Sequence, residues 1–522
     1  MLRYENNFFK KLISNRFTYL ILFSICCCSS NSNDPKPDND NNDDGTDPDI
    51  IETINPDVWI ASNLLSDNFN NTKVHVWFES QLIDFEENYN NVTSQYTQQG
   101  RLSLRNLLMS QLKELNSNSM IQVEMKLDSI ENLGKISNVN STWIVNGFDC
   151  LVDPGGITAL SNIPGVHSIF KAQISTANLN ETGPKYCNPN SSDFVYDDIN
   201  DIPNWNIDSL KVKEVWNQYG ITGEGVKHVV HDVGFTFDLP IICNSVYTNS
   251  NEIPDNQIDD DENGYIDDYH GFNFEHQNAT INTGIPNSLG AIHGNSVAAL
   301  ISGKRIGNKV YGIAPNSKWA GVLALSTFAE AIEWSIEMGF DTYTMSFSIP
   351  NLGEHRSYWR KITEHASLCG LFIISGAGNF GNNSTIPIQL RTPEDIPYSV
   401  TSVSGVDNEE ILPDFSSQGP VFWDLYHYNE GEVNKPDFAT FNVNIPSIDS
   451  QGNGGVMLNG NSMAGPQLAG VVALILEANP NLNVWEIRDI LINSSTDILE
   501  SGFDNKAGYG LINALEAVTN AY

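Results

Sequence analysis

One stretch of the 522-residue sequence decides the fold: Leu458-Asn-Gly-Asn-Ser-Met-Ala-Gly-Pro-Gln-Leu-Ala-Gly-Val-Val-Ala-Leu-Ile-Leu476. After Ser462 the residues are nearly all small or apolar, which predicts a helix buried on every side. A serine at the start of such a helix lies beside unbonded backbone N–H groups and the positive end of the helix dipole. Both features favour an oxyanion at this position, although a serine that only caps the helix fits the same pattern.

Two earlier segments carry the groups that would activate such a serine. Gly223-Glu-Gly-Val-Lys-His-Val-Val-His-Asp-Val-Gly234 is an apolar strand that ends at Asp232, and His293 stands just before a small, apolar run of helical character. A carboxylate at the carboxyl end of a strand is well placed to orient a neighbouring imidazole. Taken singly, Asp-x-Gly is ordinary turn chemistry and a lone histidine is usually structural. In the order Asp, His, Ser they form the set that nucleophilic catalysis by serine needs.

These three segments resemble the signature motifs of the subtilisin-like serine peptidases (the subtilases, peptidase family S8). The resemblance runs from about Asp208 to the C terminus, and it implies that Asp232 orients His293, which takes the proton of Ser462. A fourth segment, Leu371-Phe-Ile-Ile-Ser-Gly-Ala-Gly-Asn-Phe-Gly381, resembles the one that supplies the family's side-chain oxyanion donor, here Asn379. The implied fold of residues 206–522 is a three-layer α/β domain around a parallel sheet.

The resemblance also implies a place for substrate. The Thr344–Ser348 stretch resembles the strand whose backbone pairs with an extended peptide, so Ser346, Ser348 and Gly376 are the expected substrate-binding residues. The sequence departs from the family around the catalytic atoms, with Val233 for Thr or Ser, Asn461 for Thr and Gly465 for Ala; Asn295 and Ala299 depart likewise in the His motif. Two hypotheses follow: a serine endopeptidase that acts through an acyl-enzyme, and a catalytically impaired module that binds peptides.

Residues 56–174 predict a smaller domain ahead of the catalytic one. The patterns indicate a strand at Lys73–Phe78, a helix over Ser94–Leu115, strands around Ile121–Met125 and Ser141–Phe148, and then a short helix and strand from Gly156. This β-α-β-β-α-β order predicts a ferredoxin-like α+β domain. It resembles the inhibitory propeptide of many subtilisin-like enzymes, although the pattern alone fits an accessory domain equally well. The polar, turn-rich residues 175–205 predict a linker with a maturation site.

The N terminus has the features of an export signal. Basic residues precede a short apolar run at Phe17–Ile25, and the sequence turns polar directly after Cys28. This pattern predicts a lipoprotein signal peptide over residues 1–28 with Cys28 lipidated, followed by a disordered acidic tether over residues 29–55. The expected location is a bacterial membrane, at the outer membrane or cell surface, reached through the lipid anchor. A secretory signal with incidental cysteines is the alternative.

Charge and cysteine content limit the partners. The formal net charge of −37 excludes nucleic acid, which needs clustered Lys and Arg. The expected partners are peptide or protein substrates, the chain's own propeptide, and a membrane through the lipid anchor. An extracytoplasmic location permits disulfides among Cys150, Cys187, Cys243 and Cys369, which allow three pairings; the apolar surroundings of Cys369 favour a buried thiol.

An acidic loop between the Asp and His motifs predicts a cation site. Oxygen-bearing side chains occupy loop positions one, three, five and nine: Asp259, Asp261, Asn263 and Asp267. With Gly264 at position six, this is the front of an EF-hand-like Ca²⁺ loop, but position twelve is His270 and not Glu. The prediction is therefore a structural Ca²⁺, with a solvated acidic loop as the alternative.

Overall fold

The computed structural model describes residues 53–65, 69–84, 89–173, 186–187, 193–281 and 289–522. The predicted signal peptide, Cys28, all but the end of the predicted tether, and residues 175–185 and 188–192 of the predicted linker lie outside these ranges. Residues 54–175 and 179–522 form one compact unit. Among the described helices, none combines the length and apolar character that a membrane span requires.

A sheet of seven parallel strands forms the centre of the larger domain. In spatial order the strands are β17 (Phe438–Phe441), β14 (Val400–Val406), β13 (Phe372–Gly376), β12 (Thr342–Met345), β7 (Lys227–His231), β11 (Lys318–Leu323) and β8 (Gly271–Asn273). These strands are short and almost entirely buried, because both faces of the sheet are covered, although β7, β12 and β14 also contain His, Thr or Ser. The carboxyl ends of all seven strands meet at one edge, where the Asp and Asn motifs end.

Helices cover both faces of this sheet and divide the core into two layers. One apolar cluster contains the helices Leu289–Ser302 and Ala464–Ala478, and the other contains Phe328–Glu337 and His355–Leu368. The predicted three-layer α/β architecture is confirmed. The helix at Ala464–Ala478 lies against β12, β13, β14 and β17, which explains why its residues are small and apolar on every side.

A second sheet of five strands forms the smaller N-terminal domain, defined here as residues 54–173. In spatial order the strands are β1 (Trp59–Ile60), β5 (Val166–Lys171), β2 (Thr72–Phe78), β4 (Gly147–Val152) and β3 (Ile136–Thr142). β2 to β5 pair antiparallel, and the helices Arg101–Asn132 and Pro154–Ser161 complete a ferredoxin-like order.

Two predictions inside this domain are wrong. Ile121–Met125 is not a strand: it belongs to the helix that begins at Arg101, later than predicted, and ends at Asn132. The alternation of Ile121, Val123 and Met125 suggested a strand, but Val123, Leu127 and Ile130 are the buried residues, at helical spacing. The predicted strand Ser141–Phe148 is the junction of two strands, with a turn at residues 143–146.

The remaining elements are short. The strands are β6 (Ile202–Pro203), β9 (Arg305–Ile306), β10 (Lys309–Val310), β15 (Val421–Leu425), β16 (Tyr428–Val433), β18 (Ile445–Ile448) and β19 (Gly454–Leu458). The helices are Tyr89–Thr93, Trp205–Ser209, Val212–Tyr219, Pro240–Cys243, Val484–Ser494 and Ala514–Ala521, with 3₁₀ turns at Ser62–Leu64 and Asn461–Met463.

The N-terminal domain packs on the helices Phe328–Glu337 and His355–Leu368, which we call the docking helices. A single apolar cluster contains residues of both, among them Trp77, Leu104 and Phe170 from the domain and Phe328 and Trp359 from the helices. An apolar core to which both sides contribute is typical of an extensive, stable interface.

Polar contacts fix the orientation of this interface. The Arg101 guanidinium forms a buried ion pair with Asp341, and Arg105 donates to the backbone carbonyls of Phe340, Cys369 and Gly370. In the opposite direction, the Lys361 ammonium donates to the carbonyl of Ile83 at 2.9 Å. Hydrogen bonds to charged groups are among the stronger polar contacts in proteins. At this interface, the contacts of Arg101, Arg105 and Lys361 add such bonds to the shared apolar core.

One disulfide joins the linker region to the larger domain. It connects Cys187 and Cys243, whose Cα atoms are 5.6 Å apart. Cys150 and Cys369 are buried free thiols. The buried thiol expected for Cys369 is therefore observed.

Candidate active site

Asp232 follows the last residue of β7 at the carboxyl edge of the sheet. Its backbone N–H donates to the carbonyl of Val322 at 3.2 Å, and its Oδ1 accepts the N–H of Val233 at 2.8 Å. The Asp232 carboxylate is buried, so its chemistry depends on the groups that contact it. The backbone N–H of Val233 thus holds one oxygen of this carboxylate, a contact that does not depend on the side chain at position 233.

The partner of Asp232 is His293. The Nδ1 atom of His293 lies 3.0 Å from Oδ1 and 2.9 Å from Oδ2 of Asp232. The sequence predicts His293 just before a helix. The residue instead lies inside the helix Leu289–Ser302. Asn295, one of the departures noted above, accepts the backbone N–H of Thr236 through its Oδ1 at 2.8 Å. That bond ties the histidine-bearing helix to the loop that follows Asp232.

A second histidine stands next to the aspartate without entering the site. Burial lowers the pKa of His231 to about 3, so its imidazole is neutral at ordinary pH. Its Nε2 accepts the backbone N–H of Ala324 at 3.3 Å, and its Nδ1 lies 2.9 Å from the Tyr343 hydroxyl. A neutral imidazole in this place does not compete with His293 for the charge of Asp232.

Ser462 lies in the 3₁₀ turn directly before the helix Ala464–Ala478. Its Oγ donates to the carbonyl of Ser346 at 3.1 Å, and the Oγ of Ser346 donates in return to the carbonyl of Ser462 at 3.1 Å. The helix that bears His293 packs against this turn. The predicted substrate residue Ser346 therefore adjoins the predicted nucleophile.

Asn379 lies just beyond β13, beside the same turn. Its Oδ1 accepts the backbone N–H of Asn461 at 2.8 Å. A carboxamide carries its acceptor and its donor at opposite ends. The acceptor end faces Asn461, so this contact leaves the Nδ2 donor of Asn379 unused.

Sequence reasoning missed the role of Asn461 and treated it only as a departure from the family. The Nδ2 of Asn461 donates to the carbonyl of Gly378 at 2.6 Å and to the Ser416 hydroxyl at 2.9 Å. Its Oδ1 accepts the Nδ2 of Asn442 at 2.7 Å. This fully buried side chain fixes the glycine-rich turn that presents Asn379. Its partners lie 19 to 83 residues away in the chain, so the local sequence carries no signal for this role.

Two glycines allow the serine turn to lie against the sheet. A Cβ on Gly376 would lie 2.3 Å from the carbonyl oxygen of Asn461, and a Cβ on Gly465 would lie 3.2 Å from the backbone nitrogen of Gly376. Gly376 therefore supports the turn from beneath, although it was predicted to bind substrate. The contact at Gly465 is tight but would admit the alanine that is usual in the family after a small shift.

The predicted substrate strand is shorter than expected. β12 ends at Met345, so Ser346 and Ser348 lie in the extended segment beyond it. The Oγ of Ser348 donates at 2.5 Å to Oε1 of Glu394, a residue that sequence reasoning did not select. The Ser348 hydroxyl is therefore held by the buried carboxyl group of Glu394.

The acidic loop brings together part of the predicted cation site. Among the His, Cys, Asp and Glu side chains that the structure describes, Asp259, Asp261 and Glu252 form a group whose oxygen atoms lie within 4.8 Å of one another. Asp267 is not in this group: its carboxylate accepts the backbone N–H groups of Asn256 and Gln257 at 3.2 and 3.0 Å.

Asn263 has partners of its own within this loop. Its Nδ2 donates to Asp268 at 2.9 Å, and its Oδ1 accepts the N–H of Tyr265 at 2.8 Å. Glu252, which sequence reasoning missed, stands seven residues ahead of Asp259. An EF-hand pattern that starts at Asp259 does not extend to that position.

An aspartate and a histidine in contact at the carboxyl edge of a parallel sheet, with a serine at a helix start and an asparagine beside it, define a serine-nucleophile site. The order of these residues in the chain is Asp, His, Ser. The chain belongs to the subtilase family, since the sequence profile described as "Subtilase family" matches residues 74–510.

Several named proteases are similar to this chain. Subtilisin-like protease 1 of Plasmodium berghei (strain Anka) is 28% identical over 365 residues, which cover 66% of this chain and 58% of that protein. Bacillopeptidase F of Bacillus subtilis (strain 168) is 25% identical over 448 residues, covering 80% and 28%. Subtilisin DY of Bacillus licheniformis is 30% identical over 236 residues, covering 44% and 77%. The chain thus spans little more than half of the first relative and about a quarter of the second.

Proposed function

We propose that this chain is a serine endopeptidase that hydrolyses peptide bonds through an acyl-enzyme. The observation that carries the proposal is the contact of His293 Nδ1 with both carboxylate oxygens of Asp232, at 2.9 and 3.0 Å. A carboxylate in this position fixes the imidazole tautomer with the proton on Nδ1 and leaves Nε2 as the base.

The remaining residues supply the steps of acyl transfer. The Ser462 hydroxyl turns from the carbonyl of Ser346 to Nε2 of His293, gives up its proton and attacks the substrate carbonyl. The oxyanion that forms is held by the Nδ2 of Asn379 and by backbone N–H groups at the start of the helix Ala464–Ala478. His293 then returns the proton to the leaving amine, and water repeats the sequence to release the acid.

A fluorophosphonate probe tests this proposal directly. The wild-type chain is expected to label, Ser462→Ala is not, and Ser501→Ala, which alters an exposed serine elsewhere, should label like wild type. If folded wild-type protein, freed of its N-terminal domain, stays unlabelled, the peptidase proposal fails and the peptide-binding module takes its place.

The proposal extends to the N-terminal domain as an inhibitor acting within its own chain. Its support is the shared apolar core with the docking helices and its place immediately ahead of the catalytic residues. The wild-type chain should cut itself within residues 175–205, while Ser462→Ala should stay whole, as read by mass spectrometry of the new N terminus. Cleavage of the Ser462→Ala chain at the same bond, in the absence of added protease, would contradict self-processing.

The proposal also includes a structural Ca²⁺ at Asp259, Asp261 and Glu252. Three carboxylates in one group suit a hard cation, and backbone N–H groups hold them in place: Asn263 and Gly264 donate to Asp259. Calcium at a hundredfold excess over its Kd should stabilise the folded chain by about 2.7 kcal/mol. The melting temperature should fall with chelator in wild type and in the exposed-site control Asp489→Asn, but not in Asp259→Asn. A wild-type melting temperature that ignores chelator contradicts the site.

Export and anchoring through Cys28 complete the proposal. Their support is the sequence pattern alone: a basic start, a short apolar run and a polar segment after Cys28. Growth with a labelled lipid precursor should mark the wild-type protein and not Cys28→Ser. A mature protein without lipid would make it a secreted enzyme and leave the active-site proposal intact.

A further inference from the structure

Two segments flank the nucleophile, and one buried carboxyl group connects them. The first segment is residues 346–348, which adjoins Ser462 through Ser346, and the second is residues 376–380, which carries Asn379. The Oε1 of Glu394 accepts the Oγ–H of Ser348 at 2.5 Å, and it would lie 2.9 Å from a Cβ on Gly378. The Glu394 carboxyl group therefore lies close to both segments and borders the gap between them.

Arg391 contacts both Glu394 and the second of these segments. Its backbone N–H donates to Oε1 of Glu394 at 3.1 Å. Its guanidinium lies 3.4 Å from the ring centroid of Phe380, the residue after Asn379, and one Nη donates to the Ser384 hydroxyl at 3.1 Å. A cation that stacks on an aromatic ring and makes one side-chain bond retains donors for a planar anion.

The charge of Arg391 is not cancelled by its neighbour. Glu394 is fully buried, with Oε2 lacking a hydrogen-bond partner among the described residues, and burial raises the pKa of its carboxyl well above the ordinary range. This shift favours the neutral form of Glu394, which reduces the negative charge beside the half-buried Arg391. Asp395, the next carboxylate along the chain, is held by Arg356 at 2.7 Å.

We propose that Arg391 selects substrates with a carboxylate side chain, Asp or Glu, at the residue whose carbonyl is attacked. That carbonyl lies between Ser462 and the Nδ2 of Asn379, so the side chain of the same residue enters the gap that Ser348, Gly378 and Phe380 border. A carboxylate there meets the guanidinium as a planar, two-point partner. The inference rests on the proposed peptidase function and adds a substrate class to it.

Internally quenched peptides that differ only at this position test the selection. The wild-type enzyme, processed from the full chain, should cleave the Glu peptide at least about tenfold faster in kcat/KM than the Gln peptide, and faster still than the Lys peptide. In Arg391→Gln the Glu/Gln ratio should fall to near one with Gln cleavage retained, and Arg391→Glu should favour Lys. The control Lys309→Gln, which removes a distant exposed charge, should keep the wild-type ratio.

Labelling of Ser462 by fluorophosphonate in each variant separates the two proposals. Wild-type labelling together with a Glu/Gln ratio near one overturns the selection by Arg391 and leaves the peptidase intact. Equal losses for Glu and Gln in Arg391→Gln also overturn it, because they indicate a structural role. If Ser462 itself does not label, the peptidase proposal fails first and the selection falls with it.

Discussion

At the scale of single residues, the departures from the family pattern are matched by specific contacts. Asn461 is bonded through both ends of its carboxamide, and its backbone N–H orients Asn379. The backbone N–H of Val233 donates to Asp232, as it could with any side chain at this position. Whether these substitutions slow the enzyme is a question for kinetics, and the fluorophosphonate test above decides between the peptidase and the peptide-binding module.

Replacing Asn379 tests the oxyanion donor. Asn379→Leu should lower kcat about 10²- to 10³-fold with little change in KM, since the lost bond forms only in the transition state. Asn379→Asp is the informative companion, because it keeps an acceptor for the N–H of Asn461 but lacks the Nδ2 donor. Near wild-type kcat in Asn379→Asp would show that the donor plays no part.

At the scale of elements, the serine turn and the strand beneath it depend on the absence of side chains. The helix Ala464–Ala478 reaches the sheet because Gly376 and Gly465 face each other across a very short distance. The close contact fixes the height of Ser462 above the sheet edge, where Asn379 also lies. The same two glycines therefore affect both the position of Ser462 and the packing of the helix that follows it.

Gly376→Ala should therefore disturb both stability and catalysis. Its Cβ would meet the Asn461 carbonyl oxygen at 2.3 Å, and overpacking of this kind costs about 1–3 kcal/mol. Denaturant unfolding should show the loss, and kcat should fall because the turn is displaced. Gly155→Ala is the matched control, since no atom lies within 4 Å of its added Cβ and it is in a helix. Equal unfolding midpoints for the two variants would refute the packing argument.

Elements with a strong periodic pattern or a family motif were predictable, and those decided by distant contacts were not. The strands before Asp232 and Asn379 contain the apolar residues Val229–Val230 and Phe372–Ile374 and are followed by family motifs, so their ends could be predicted from the sequence. Ile121–Met125 alternates like a strand, but the core of the N-terminal domain buries Val123, Leu127 and Ile130, which lie on one helical face. Asn461, Glu394 and Arg391 act through residues far away in the chain, which no local pattern contains.

At the scale of the whole molecule, histidines line the contact between the N-terminal domain and the larger domain. Five of the chain's ten histidines lie there: His75, His167, His355, His365 and His427. His365 accepts the N–H of Ile83 at 3.3 Å, and His427 Nε2 lies 2.7 Å from the Ser168 hydroxyl.

Protonation of these rings opposes the docked arrangement. Burial lowers the pKa values of His355, His365 and His427 to about 3. The charged groups that face them are Asp149 beside His355, Lys361 beside His365, and Lys361 beside His427. Asp149 favours the protonated ring of His355, whereas Lys361 opposes a charge on the other two.

Docking should therefore weaken as the pH falls below about 6.5, the ordinary pKa of histidine. Between that value and pH 3 the separated state binds more protons than the docked state, so stability rises with pH and drops with acid, by up to about 1.4 kcal/mol per pH unit for each histidine. The unfolding free energy of the Ser462→Ala chain should show this slope between pH 7 and 5. His427→Gln should flatten it, and His276→Gln, an exposed control, should not. A wild-type stability that is flat over this range would contradict the prediction.

The disulfide between Cys187 and Cys243 gives the position of the maturation cut a topological meaning. Cys187 lies inside the predicted linker of residues 175–205, and Cys243 lies in the larger domain. A cut ahead of Cys187 yields two separable polypeptides. A cut behind it yields a two-chain molecule that migrates as one band on a non-reducing gel and as two bands after reduction. In the second case the removal of the N-terminal domain becomes a redox event, complete only where a reductant reaches the bond.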